Sequence, residues 1–559
     1  MKPKSIFVSI ALVAAVLFLL SITAVSRVLS ASPNELLQGV KTQPIAAKFL
    51  PKRSTLVASL LVNPDRLSLF GELAAKPGDR ASLKSELLAW KQQIKQVWAL
   101  DYDKNIKPWL GDEITLAVTT TDLDRIAENG LQPGYLLALA VEKSGVAKQS
   151  LDNFWQSLAI AGSDLAFEQY QGVAILSASA TATSPALAGA TLGKFVLFAN
   201  DPKVIRNAVN DLQVPDLALA NLDTYQNSMR SLTSGRIGSA FVNLGELAGT
   251  NAGAKRPEAG LAVGLALDKS GIKAETILTT DTQTSTSTTV SNQDENNLAI
   301  SYISDGSTLL TGRDLNQTWQ QFTNFLQSYP DLNAVVKQSI ESLETNSGFK
   351  LEDAVAWVKG DYAIGILPNP VTSQDASPNW VFVGQNTDAK VVNEAMAHLD
   401  NDARVNGNLT VGEIPIDDRK LTVWTRLSAV TSKTKNSANS PNASTVTGTI
   451  ATVHSQTPEY VFLASSIEAI ESALSIDRTP ITKSPTFKSI TSTLPRNHQG
   501  YAYINNTANL SWLGQKFPAI KWSIEPLLPH VKALNIASVG KDKGDAPIIQ
   551  RGQIFVALQ

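Results

Sequence analysis

The chain of 559 residues contains no cysteine and only four histidines. Without thiols it has no disulfide bond, no thiolate nucleophile, no iron–sulfur cluster and no cysteine-based zinc site. The histidines are isolated, and none stands three or four residues from another or within an H-E-x-x-H motif. They are His398, His454, His498 and His530. The sequence therefore predicts no metal site.

The chain also lacks a large excess of charge of either sign. The chain carries 48 basic and 50 acidic residues, for a formal net charge of −2. A protein that binds nucleic acid usually presents a basic field to the phosphates. Nucleic acid is therefore not an expected partner.

The motifs of nucleotide binding and acyl transfer are absent as well. There is no G-x-x-x-x-G-K-[ST], no G-x-G-x-x-G after a strand and no G-x-S-x-G. S-x-x-K occurs at Ser270–Lys273, Ser432–Lys435 and Ser538–Lys541, but without its companion S-D-N and K-T-G elements. Paired acids such as Asp101 and Asp103 are typical of surface turns. We assign no catalytic, cofactor-binding or metal residue and expect no cofactor.

One long apolar run is present, at Ile6–Val25. Its 20 uncharged residues are enough for a helix to span a bilayer core of about 30 Å. Lys2 and Lys4 precede the run, which favours a cytoplasmic N-terminus. The alternative is a cleaved signal peptide. Both interpretations export everything after about residue 30, and no later run is long enough to span a membrane.

The remainder of the chain is an internal repeat. Thr224–Asn243 aligns without gaps with Thr486–Asn505, and two aromatic positions coincide. Earlier in each half, "KPWLGDEITLAV" at Lys107–Val118 matches "VAWVKGDYAIGI" at Val355–Ile366. The matches keep the same order along the chain, which indicates duplication. In both halves Gly-Asp is interpreted as a turn into a strand, not as chemistry.

The predicted fold class is α+β. Apolar runs arrive mostly as adjacent pairs and do not alternate strictly with helices, which favours antiparallel sheets. We expect an N-terminal transmembrane helix followed by two tandem copies of a mostly antiparallel α+β domain. The predicted segments are an anchor or signal peptide (1–29), a tether (30–50), copy 1 (51–280), a polar linker (281–298) and copy 2 (299–559).

The second half carries an aromatic insertion that the first half lacks. Trp512, Phe517 and Trp522 are interleaved there with Lys516 and Lys521. Such a segment suits a membrane surface or a partner protein. The alternative is a helix pair that closes the second core. We take these five residues as the candidate interaction surface.

Several stretches resemble a known family. They are "FLPKRSTLVASLLVN" soon after the apolar run, the Trp-to-Gly-Asp stretch "KPWLGDEITLAV", and "LFANDPKVIRNAV". Together with the N-terminal apolar segment they resemble the domain of unknown function 3352 family, best populated in cyanobacteria. For a cyanobacterial source the resemblance implies a cell-envelope or thylakoid-lumen location. It brings no catalytic or binding residue.

The leading functional hypothesis is a non-enzymatic, membrane-anchored interaction or assembly module. Its bulk would face the periplasm or thylakoid lumen, and its partners would be the membrane, through the N-terminal helix, and an envelope or membrane protein. The alternatives are a hydrolase with a carboxylate or serine site, and a carrier of an apolar ligand between the two copies.

Overall fold

The computed structural model describes residues 39–40, 42–65, 88, 91–92, 94–126, 128, 130–182, 185–233, 235–247, 258–268, 271–280, 297–327, 330–367, 378–416, 419–431, 444–495, 498–505, 531–541 and 548–558. The predicted anchor at 1–29 lies outside these residues. Within these ranges, none of the helices combines the length and the apolar character that a membrane crossing requires.

Strands dominate the described residues. They are β1 Leu56–Leu60, β2 Leu110–Thr120, β3 Gly134–Val141, β4 Leu165–Tyr170, β5 Val173–Ala178, β6 Leu187–Leu192, β7 Phe195–Ala199, β8 Gly238–Asn243, β9 Ala259–Asp268, β10 Gly271–Thr280, β11 Thr308–Arg313, β12 Asp361–Ile366, β13 Trp380–Gln385, β14 Thr410–Ile416, β15 Arg419–Thr431, β16 Ser444–Gln456, β17 Tyr460–Ala464, β18 Gly500–Ile504, β19 Val531–Lys541 and β20 Ile548–Leu558.

Helices connect these strands. The α-helices are α1 Ser144–Ile160, α2 Pro202–Gln213, α3 Asp223–Ser231, α4 Leu244–Leu247, α5 Leu315–Gln327, α6 Pro330–Ser347, α7 Leu351–Ala356, α8 Ala389–Val405, α9 Ile467–Leu474 and α10 Pro485–Thr491. Short 3-10 helices lie at Ile45–Phe49, Pro215–Leu217, Leu219–Asn221, Leu298–Tyr302 and Ile481–Lys483, and a π-helix at Tyr102–Ile106.

The predicted fold class, two tandem copies of a mostly antiparallel α+β domain, is wrong, and the transmembrane helix expected before them falls outside the described residues. All twenty described strands belong to a single antiparallel sheet. β20 comes from the predicted second copy, yet it pairs with β10 of the first from Gly271↔Ala557 to Thr280↔Ile548. The physical reason is that a separate copy would leave the last strand of its sheet with an unpaired edge, and pairing the two last strands removes both edges.

The repeat seen in the sequence is a repeat of strand order. One compact unit holds β1–β10 and β20, in the order β4-β5-β6-β7-β3-β2-β1-β8-β9-β10-β20. The other unit holds β11–β18 and most of β19, in the order β14-β15-β16-β17-β13-β12-β11-β18-β19. Adding ten to each strand number in the first order, up to β9, reproduces the second.

Corresponding aromatic pairs pack identically in the two units. In the first, Tyr225 of α3 meets Phe241 of β8 edge-on, with ring centroids 5.0 Å apart. In the second, Phe487 of α10 meets Tyr503 of β18, also at 5.0 Å. The tyrosine lies on the helix in the first unit and on the strand in the second. Both pairs have the edge-to-face geometry that aromatic rings favour.

Residues 39–50, within the predicted tether, are tied to the first unit. Val40 forms an isolated antiparallel bridge with Arg236. The carboxylate of Glu113 on β2 accepts hydrogen bonds from the backbone N–H groups of Ile45 and Ala46, at 2.9 and 2.8 Å. Glu113 thereby satisfies donors at the start of a 3-10 helix that would otherwise be unpaired.

Helix α2 carries a buried acid near its C-terminal end. Asp201 and Pro202 begin this helix with a side-chain cap and a proline in its first turn. Near its end, Asp211 is 4% exposed, and its Oδ2 has no hydrogen-bond partner among the described residues. Burial raises the pKa of Asp211 to about 7.

This shift gives stability a defined pH dependence. The folded state favours the protonated form of Asp211. The stability that this preference contributes is therefore fully present below the ordinary pKa of 3.8 and is lost as the pH rises through about 7. Each unit of difference between the pKa in the folded state and the pKa in the unfolded state corresponds to about 1.4 kcal/mol in the free energy of unfolding.

We therefore expect Asp211→Asn to raise the free energy of unfolding at pH 8 and to leave it nearly unchanged at pH 4. Chemical denaturation of wild type and variant across this range measures the difference. A matched control is Asp216→Asn, a substitution at an exposed position nearby. A gain at pH 4 as large as the gain at pH 8 would contradict the assignment.

Candidate functional site

The predicted interaction surface lies outside the described residues. Trp512, Phe517, Trp522, Lys516 and Lys521 all fall between 506 and 530. The assignment of these residues therefore stays a prediction.

Of the three S-x-x-K motifs, Ser538–Lys541 lies on strand β19, and the other two include residues outside the described ranges. Asp101 accepts a hydrogen bond from the backbone N–H of Lys104 at the start of the π-helix. Asp103 forms an ion pair with Lys91 at 2.7 Å. Within the described residues, no group of three or more metal-ligating side chains is present.

One histidine has a carboxylate partner that the sequence did not reveal. His454 of β16 contacts Oδ1 of Asp400 on α8 through its Nε2, at 2.9 Å. The indole N–H of Trp424, on β15, donates to the same oxygen at 2.7 Å. Burial favours a raised pKa for Asp400, but these hydrogen bonds and the charge of Arg404 hold the pKa below its usual value. The cluster fastens α8 to the sheet.

The second unit also has a surface depression of about 360 Å³. Its lining residues are Ser304, Asp305, Ser472, Ser475, Asp477, Arg478 and Thr479. The hydroxyls of Ser304 and Ser472 hydrogen-bond each other at 3.0 Å. Arg478 donates to the carbonyl oxygens of Ser301 and Ser475 and stacks on Tyr302. These polar groups are engaged in holding loops together.

The most distinctive exposed feature is the edge strand β4. Among the described strands it pairs only with β5. The two are joined by Gln171 and Gly172, whose φ angles of 48° and 84° are those of a type I′ turn. That turn makes Tyr170 and Val173 a hydrogen-bonded pair, and alternate residues follow. The backbone groups of Leu165, Phe167 and Gln169 therefore point away from β5, toward the open edge.

An additional backbone hydrogen bond confirms this alternation. The N–H of Ser179 donates to the carbonyl of Asp164 at 3.0 Å. Asp164 is therefore in phase with Tyr170, and the residues between them at odd numbers face outward.

The apolar layer between helix α1 and the sheet continues to this edge. Phe167, Leu176, Gly189 and Phe198 are cross-strand neighbours on β4 to β7, so their side chains share one face. Helix α1 covers the inner part of this face, and Trp155 lies so close over Gly189 that a side chain there would clash. The cover ends before β4, where Phe167 is 67% exposed.

Further apolar groups lie at the end of α1 and the start of β4. Ile160, the last residue of α1, is 87% exposed, and Leu165 is 38% exposed. Both are large apolar side chains on the segment that leads from α1 into β4. An exposed strand edge next to apolar side chains is a template for pairing with another chain.

The corresponding edge strand of the second unit is protected against pairing with another chain. Strand β14 pairs only with β15 among the described strands, and its hairpin register places Val411, Glu413 and Pro415 outward. Pro415 has no N–H to offer, and Glu413 puts a charge where β4 has Phe167. Glu413 also forms an exposed ion pair with Lys420 at 3.6 Å.

The sequence contained a partial signal for this site. Gly172, between the apolar residues of β4 and β5, is the residue type that a tight turn with positive φ favours. That β4 lies at an edge follows from strand order, which residue patterning does not specify.

The comparisons with known proteins agree with the family resemblance. The family described as "Protein of unknown function (DUF3352)" matches residues 10–558. No curated protein and no solved structure matches the chain. The chain therefore belongs to the DUF3352 family of proteins of unknown function.

Proposed function

We propose that this chain is an exported, non-enzymatic assembly module that takes up a strand of a partner at the β4 edge. The observation that carries the proposal is the contrast between two corresponding edges of one sheet. β14 has a proline and a charge at its outward positions, and β4 has neither. Natural proteins protect exposed edges in this way, so an unprotected edge fits a strand that is covered in the assembled state.

The location is part of the proposal. The apolar segment Ile6–Val25 directs the chain to a membrane, with the N-terminus in the cytoplasm and the bulk in the periplasm or thylakoid lumen. The complete absence of cysteine is compatible with an oxidising compartment. The partner in this setting is the membrane itself together with an envelope or membrane protein.

The backbone of β4 can be tested without removing any internal hydrogen bond. Gln169→Pro deletes one outward N–H and copies the proline at the corresponding position of β14. Gln169→Ala is the matched control, because it removes the side chain and keeps the N–H. We expect complexes crosslinked in membranes to be lost in Gln169→Pro and kept in Gln169→Ala.

The apolar part of the edge has its own comparison. Phe167→Glu should also abolish the crosslinked complexes, whereas Ile476→Glu should not. Ile476 is 94% exposed and lies outside the strands, so it controls for the general loss of an exposed apolar group. Complexes that survive both Gln169→Pro and Phe167→Glu would refute strand addition at β4.

The aromatic insertion is a second proposed contact surface. Trp512→Ala together with Trp522→Ala should weaken crosslinking to the membrane partner without changing the thermal midpoint of the purified chain. A large loss of stability would instead assign these side chains to the second core. An unchanged crosslinking pattern would remove the insertion from the interaction surface.

A further inference from the structure

We propose that the strand that pairs with β4 is β4 of a second copy of this chain. The two strands would run antiparallel about a two-fold axis that passes by Phe167. This inference rests on the proposed strand addition and names its partner.

The backbone of β4 is self-complementary in this arrangement. With the axis at Phe167, that residue faces Phe167 of the partner subunit, and Leu165 faces Gln169 of the partner subunit. All of these residues have outward N–H and C=O groups, so each facing pair exchanges two hydrogen bonds. A closed two-fold interface of this kind uses the same patch on both copies.

Charge favours this register over the two registers in which the axis is shifted by one residue. Moving the axis to Glu168 places that carboxylate opposite its own copy, and moving it to Ala166 places Asp164 opposite Glu168 of the partner subunit. Like charges directly opposite each other on adjacent strands are destabilising. With the axis at Phe167, Glu168 faces Ala166 of the partner subunit, and its charge is balanced by Arg206 at 2.8 Å within its own chain.

The side chains support the same register. Phe167 and Leu165 share one face of β4, the face that continues the apolar layer under α1. Two-fold pairing would place the two Phe167 rings side by side, an aromatic cross-strand pair that contributes about 0.2–1 kcal/mol. It would also extend the apolar face across the axis and cover the ring that is now 67% exposed.

Strand β14 offers an internal comparison. The corresponding axis in the second unit would place Glu413 opposite its own copy and Val411 opposite Pro415, which lacks an N–H. Both features oppose pairing. The chain therefore has one edge suited to self-association and one edge protected against it.

Because the chain has no native cysteine, introduced cysteines can form disulfides only with one another. The experiment uses the full chain in a mild detergent, with Leu165→Cys and Gln169→Cys combined in one variant. Facing residues in a hydrogen-bonded pair have Cα atoms about 5.5 Å apart, which suits a disulfide. In either single variant the two cysteines would be about 13 Å apart along the strand and unable to bond.

We expect the double variant to oxidise mainly to a covalent dimer, and both single variants to form no disulfide-linked dimer under the same conditions. The corresponding pair in the second unit, Val411→Cys with Pro415→Cys, should also form no disulfide-linked dimer because Glu413 is retained. Equal dimer in a single variant and in the double variant would indicate random collision and overturn the register.

Sedimentation equilibrium of the full chain keeps the proposal testable should the cysteine variants fail to fold. Wild type should associate to a dimer, and Phe167→Glu should lose that association. A monomeric wild type with no disulfide in the double variant overturns self-pairing. If Gln169→Pro nevertheless abolishes the membrane complexes, strand addition stands with a different partner. If it also leaves them unchanged, both proposals fail.

Discussion

Each strand of a sheet needs a hydrogen-bonding neighbour on both sides, and a terminal strand lacks one. This constraint accounts for the most unexpected feature of the fold. The last strand of each repeat, β10 or β20, would be open on one side if the repeats folded separately. Pairing these two strands over ten positions closes both open sides with main-chain hydrogen bonds. The same constraint leaves β4 and β14 as strands with a single described neighbour.

Strands β4 and β14 occupy corresponding places in the two strand orders, but their residues differ. At matching outward positions, β4 has Phe167 and Gln169, where β14 has Glu413 and Pro415. A charge and a proline protect an edge at little energetic cost, because neither replaces a hydrogen bond inside the sheet. The unprotected edge is therefore the place where the chain can bind another strand, and the apolar layer under α1, which reaches Phe167, supplies apolar area for that contact.

Part of the fold was accessible from the sequence. Apolar runs that arrive as adjacent pairs predicted antiparallel pairing, and the strand pairs described above are antiparallel. The order of matches along the chain anticipated the repeated strand order. The sharing of one sheet was not accessible, because residue patterning within a strand does not state which strand lies beside it. The link between β10 and β20 joins segments far apart in the chain, and nothing local specifies it.

The candidate site was harder to predict for the same reason. Phe167 looks like an ordinary core residue in the sequence, and only the end of the α1 cover makes it exposed. The Asp400–His454 contact was likewise hidden, since the two residues come from a helix and a strand with no motif between them. The aromatic insertion around Trp512, which composition did indicate, lies outside the described residues.

The central claim is that the outward amides of β4 are hydrogen-bonded to another strand in the assembled protein. Amide hydrogen exchange on the full chain at increasing protein concentration measures this directly. The N–H groups of Leu165, Phe167 and Gln169 should become protected as the concentration rises, while those of Val411 and Glu413 stay fast. Rapid exchange of all five amides at every concentration would contradict the account.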